Sequence, residues 1–140
     1  MTYELTLPAT VDSVGIGRRL VREALSEWDM GSLAYTAMLL TSEVLTNSIL
    51  HARTPVVLTV ERSGTQSVTI SVRDGSTLVP RRRQHPQDAT TGRGLELLDG
   101  LAQHWRVQQQ EHGKTLSFVV GTDVDPWAAY ARTTWTDAEL

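Results

Sequence analysis

The sequence has no cysteine, a single lysine (Lys114) and a single asparagine (Asn47) in 140 residues. Without cysteine, disulfides and thiolate metal sites are excluded, and a reducing compartment fits. No apolar run approaches the ~18 residues that span a bilayer. Met1-Thr2-Tyr3-Glu4-Leu5 carries no basic run leading into an apolar one. A cytoplasmic protein with no membrane segment is expected. The four histidines (His51, His85, His104, His112) lack H-x-x-x-H spacing, which argues against zinc, and no serine stands in a nucleophile elbow. The net charge of −3 suits a chain that makes no direct contact with nucleic acid.

What is present indicates one folded domain. Domains commonly run ~100–150 residues, so this length closes a single two-layer core and is too short for a barrel enzyme or a transporter. Apolar residues at 40% and charged residues at 21% describe a packed chain rather than a disordered one.

Residues 3–7 alternate and stop at Pro8, as a short strand does. Residues 11–28 carry apolar side chains at helical spacing (Val14, Leu20, Val21, Ala24, Leu25, Trp28). Ser32 is the expected N-cap of a second helix over residues 33–51. Residues 56–61 and 67–72 alternate around Ser63-Gly64-Thr65-Gln66 and read as a hairpin. Residues 77–91 hold Pro80, Pro86 and Arg81-Arg82-Arg83 without periodicity, so a long loop is expected. A short helix over 94–102 and a second hairpin over 105–110 and 115–120 follow. The order β-α-α-β-β-loop-α-β-β predicts an α/β two-layer sandwich: a mixed, mainly antiparallel sheet with helices on one face. Trp28 and Trp105 read as core residues. The domain is expected over 1–122. Residues 123–140 form a tail in which Asp125-Pro126 can open a last helix bearing Trp127, Tyr130, Ala131 and Trp135.

Three short stretches can carry chemistry. Glu43, Asn47 and His51 stand at i, i+4 and i+8, on one helical face. A carboxylate and an amide carbonyl one turn apart can face a hard, hydrated Mg²⁺ and the hydroxyl beside it; the trio also reads as a solvated polar stripe. Asp74-Gly75-Ser76 closes a strand. It reads as a simple turn, or as a carboxylate fixed to accept from an exocyclic amine such as adenine offers. Thr90-Thr91-Gly92-Arg93-Gly94-Leu95 stands at a helix mouth, where glycines, free N–H groups and Arg93 can meet an anion. It is equally an ordinary loop-to-helix joint. It is no dinucleotide fingerprint, because Leu97 replaces the third glycine. Gly113-Lys114-Thr115 mimics a P-loop end, but Gln108 replaces that motif's first glycine. Arg81-Arg82-Arg83 reads as a solvated loop or a phosphate contact.

In order, these pieces resemble one superfamily. Thr41-Ser42-Glu43-Val44-Leu45-Thr46-Asn47-Ser48-Ile49-Leu50-His51-Ala52 is similar to the asparagine box of the GHKL ATPases, in the form found in the anti-sigma factor serine kinases of bacterial partner-switching systems. Val72-Arg73-Asp74-Gly75-Ser76 resembles the first glycine box, Gly92-Arg93-Gly94-Leu95 the second, and Gly113-Lys114-Thr115 the terminal strand. The resemblance implies ATP and Mg²⁺ between helices and sheet. Asn47 would ligate the metal and Glu43 would act as general base. Asp74 and Gly75 would hold the adenine, with Thr115 supporting through water. Gly92, Arg93, Gly94 and Leu95 would line the phosphate side. It implies a serine/threonine-protein kinase whose substrate is a small anti-sigma-factor antagonist, with a sigma factor and a second copy of the chain as further partners. The alternative is an ATP-binding regulatory module without phosphotransfer, from which Glu43 separates the enzyme. A two-component histidine kinase would need a phospho-acceptor helix pair. On this reading Asp74→Asn abolishes ATP binding and leaves the fold intact.

Overall fold

The computed structural model describes residues 1–76 and 89–122, with the backbone alone for 89–94. The chain runs β1 (Thr2–Leu7), α1 (Asp12–Glu27), a 3-10 turn (Gly31–Leu33), α2 (Ala34–Ala52), β2 (Val56–Gly64), β3 (Ser67–Asp74), α3 (Ala89–Leu101), β4 (His104–Gln110) and β5 (Gly113–Gly121). The strands form one sheet in the order β1-β2-β3-β5-β4, and all four pairings are antiparallel. Both expected hairpins are present.

Strand alternation puts the core on one side of this sheet. Leu7, Leu58, Val60, Val68, Ile70, Val72, Leu116, Phe118 and Val120 point into it and are buried. The residues between them are largely polar: Thr59, Thr69, Ser71, Arg73, Thr115 and Ser117. The apolar side meets three helices, with α1 against β1 and β2, α2 against β2, β3 and β5, and α3 against β4. This is the α/β two-layer sandwich. Helix α2 also touches α1 and α3, which explains why Ala37, Leu40, Val44, Leu45 and Ile49 are all buried although they span much of its circumference. No described helix is long and apolar enough to cross a membrane.

Helix α1 stops in a Schellman motif. Asp29 takes φ 57°, the Met30 N–H donates to Leu25 O at 2.7 Å, and the Asp29 N–H donates to Ser26 O. Met30 and Leu25 are both fully buried in the core. Trp28 is buried and stacks on Tyr3, centroids 5.8 Å apart, while the Tyr3 hydroxyl donates to Glu27. That hydrogen bond, then burial and the Glu27 charge, raise the Tyr3 hydroxyl above its ordinary pKa. Across the sheet, Trp105 packs against the core edge and donates its ring N–H to Asp99 at 2.8 Å. Burial, then the Arg106 charge, lowers the pKa of His104.

Two expectations at helix starts need correction. Ser32 does not cap α2: the helix starts after the 3-10 turn, its N-cap is Leu33, and no side chain bonds there. Helix α3 starts at Ala89 and not at Gly94. Residues 89–91, expected in the loop for want of periodicity, are helical, and Leu95 and Leu98 of the same helix bury against the core. The rest of that loop, with Arg81-Arg82-Arg83 and His85, and the tail over 123–140 lie outside the described residues.

The α1–α2 approach is tight at Gly17. A Cβ there would lie 2.4 Å from Leu45 Cδ1 and 3.2 Å from Leu58 Cδ2, whereas one at Gly15 meets nothing within 4 Å. Gly17→Val is therefore expected to destabilise the fold by about 1–3 kcal/mol through overpacking. Gly15→Ala should stabilise it by roughly 0.5–1 kcal/mol through helix propensity. Urea denaturation of the two variants checks the contrast. Equal midpoints would mean that the helices do not pass at Gly17.

Candidate functional site

Helix α2 lies over β3 and β5 and carries Glu43 and Asn47 one turn apart, both half-buried. His51, one turn further, is exposed at the helix end. Asparagine is a poor mid-helix residue, and here its side-chain carbonyl has no exposure to compensate. Asn47 Oδ1 is buried and has no hydrogen-bond partner. A buried acceptor left unpaired costs about 1–3 kcal/mol, and the described residues supply no partner for this one. Among the described residues no group of three or more His, Asp or Glu side chains could hold a metal.

At the end of β3, Asp74 continues the helix-facing row of Val68, Ile70 and Val72, and it is 4% exposed. Its Oδ1 accepts from the Ser76 N–H at 2.9 Å, the Asx turn that closes the strand. Lys114 opposes it across the β3–β5 ladder, and Lys114 Nζ donates to both carboxylate oxygens, at 3.0 and 3.1 Å. The two strands come together here because Gly113 has no side chain: a Cβ would lie 2.1 Å from the Asp74 carbonyl oxygen. The turn after Asp74 is braced from the α2–β2 connection, where the Thr54 hydroxyl accepts from the Gly75 N–H at 2.8 Å.

The structure does not bring Thr115 to Asp74. Thr115 pairs with Arg73 and Gln108 in the ladder, on the opposite face of the sheet, and its hydroxyl donates to Gln110 at 3.2 Å. The period of two in a strand puts Lys114, and not Thr115, beside the carboxylate. The parity was legible, since Lys114 shares it with Leu116, Phe118 and Val120. Thr54 left no such signal. Gly92, Arg93 and Gly94 lie within the first two turns of α3 and not at its mouth, so the free N–H groups of that helix begin near Ala89. Leu95 is 2% exposed and belongs to the core. A cavity of about 470 Å³ opens at the same end of the sheet, and Asp74, Gly75 and Gly113 line it together with Pro55, Val57 and Arg73. Val57 and Arg73 belong to the polar face, so this cavity wraps the strand end from the side away from the helices and meets the site at Asp74.

A helix-borne carboxylate and amide, a buried strand-end aspartate and a third helix alongside α2, all over an antiparallel sheet, agree with the family model for the histidine kinase-like ATPase domain, which matches residues 7–120. The chain belongs to the histidine kinase-like ATPase family. Membership implies ATP as the ligand of the cleft. Among solved structures, the RsbU and RsbW domains of Rv1364c from Mycobacterium tuberculosis are similar in fold, with a TM-score of 0.67 and 20% identity over 86% of this chain. This chain spans about a third of that one, 32% of its length. No curated protein sequence matches significantly.

Proposed function

We propose that this ATPase-family chain is a cytoplasmic serine/threonine-protein kinase that binds Mg·ATP between the helix layer and the sheet. Its phosphoryl acceptor is a serine or threonine of a small anti-sigma-factor antagonist, and it sequesters a sigma factor when that antagonist is withdrawn by phosphorylation. A homodimer is the proposed assembly. The observation that carries the reading is the buried, unpartnered Asn47 Oδ1 one helical turn from Glu43.

A carbonyl oxygen is the hard donor that Mg²⁺ takes, and an ion that keeps several waters and binds phosphate oxygens needs only one or two protein ligands. The site fits such an ion. Asn47 would hold Mg²⁺, which when bound neutralises charge on the phosphates. Glu43 takes the proton from the acceptor hydroxyl as that oxygen attacks the γ-phosphorus, and the bond to the β,γ-bridging oxygen breaks with its electron pair leaving on ADP. Asp74, with Gly75 behind it, accepts from the exocyclic amine of adenine. Arg93, between Gly92 and Gly94, is assigned to the phosphates, whose oxygens suit a guanidinium fork.

Asn47→Leu tests the metal assignment. It removes the orphan acceptor at similar size, so the nucleotide-free protein is expected to hold its stability or gain up to ~1–3 kcal/mol. The dependence of ATP affinity on Mg²⁺ is expected to vanish. Calorimetric titration with and without Mg²⁺ reads both proteins; an unchanged dependence in Asn47→Leu removes Asn47 from the metal.

A further inference from the structure

Lys114 is the only lysine in the chain, and it is buried in a position that continues an apolar row. Burying an ammonium is unfavourable unless it is paired, and a buried ion pair is often no more stabilising than apolar residues of the same size. Val72 and Leu116 stand one step back on the same rows. Packing alone therefore does not explain a charged pair at their ends.

Hydrogen-bond capacity gives an explanation. An ionised carboxylate offers about four acceptor positions, and an ammonium three donors. Asp74 receives the Ser76 N–H and Lys114 on Oδ1, and Lys114 again on Oδ2. Lys114 Nζ faces both oxygens. Among the described residues, one acceptor position on Oδ2 and one ammonium proton remain. That pair complements an aromatic edge carrying an amine next to a ring nitrogen, which adenine presents as its 6-amino group and N1. The Asp74 side chain is 1% exposed and that of Lys114 9%, so the lysine is the more accessible member to an incoming base.

We propose that Lys114 is a base-reading residue, its ammonium donating to adenine N1 while Asp74 accepts from the amine. The inference rests on the ATP reading above and adds a direct charged contact where Thr115 was expected to act through water. Thr115 cannot take that part from the far face of the sheet.

The test compares ATP with 1-deaza-ATP, in which N1 is a C–H and the amine is kept, by calorimetry on the wild-type chain and on Lys114→Met. The wild type is expected to bind the analogue at least about tenfold more weakly, because a hydrogen bond to a charged donor is lost. Lys114→Met should lose a similar factor on ATP and show no further loss on the analogue. The wild-type comparison needs no variant, so poor folding of Lys114→Met leaves the test intact. Equal wild-type affinity for the two nucleotides overturns the proposal while the ATP reading stands. Tighter ATP binding by Lys114→Met also overturns it, since the lysine would then compete with the base for Asp74. A wild type that binds no ATP removes the ATP reading itself, and this proposal with it.

Discussion

Asp74→Asn is expected to abolish measurable ATP binding and also to destabilise the protein. The second effect follows from the partner. Asp74 and Lys114 are both buried, and the lysine contacts both carboxylate oxygens. Removing one charge of a buried pair leaves the other uncompensated, which costs about 3–5 kcal/mol. An amide retains one acceptor oxygen for Lys114 and Ser76, which moves the expectation toward the lower end. The sequence alone suggested that this variant would keep its fold intact, and the ion pair revises that. Urea denaturation gives the stability, and calorimetry below the unfolding range gives the affinity. The double variant Asp74→Leu, Lys114→Met should recover most of the stability, since replacing both partners removes the stranded charge, yet bind no nucleotide. A wild-type urea midpoint in Asp74→Asn would mean the pair contributes nothing to the fold. Wild-type affinity would remove Asp74 from the adenine.

Glu43→Gln separates binding from chemistry. The amide keeps the shape of a half-buried side chain on α2 but cannot take a proton at neutral pH. A positioned general base contributes ~10²–10⁴-fold to a rate, so transfer from radiolabelled ATP to the antagonist is expected to fall by that factor while ATP affinity changes little. Transfer at the normal rate would place the base elsewhere. A wild type that binds ATP and transfers nothing to any antagonist of the same genome would favour the regulatory-module reading.

The sheet was legible because its signal is local. Alternation in residues 56–60 and 67–72, and again after Lys114, states both the strands and the buried face. Helix starts were harder. Ser32 has the right chemistry for a cap, but the 3-10 turn over Gly31–Leu33 intervenes and the next residues enter α2 with no cap hydrogen bond. Gly92 and Gly94 each lower helix propensity by about 1 kcal/mol, which reads as a boundary. The burial of Leu95 and Leu98 outweighs that, a long-range effect invisible in a window of sequence. At the base site the motif Gly113-Lys114-Thr115 drew the eye to threonine. Counting parity back from Leu116 would have selected the lysine. The hydrogen bonds from Lys114 to Asp74, by contrast, depend on the β3–β5 register, which joins residues forty positions apart.

That one lysine also makes the chain a reporter of its own site. Every other side-chain cation is an arginine or a histidine, so reagents that acylate primary amines find one side chain to modify, and it is 7% exposed. Modification at Lys114 then reports how readily a reagent reaches this end of the β3–β5 pair, directly or through local opening. Any ligand bound against Asp74 should slow the labelling. The mass increment on the peptide that contains Lys114, separated from that at the α-amino group and timed with and without ligand, measures how far a ligand covers this corner of the sheet.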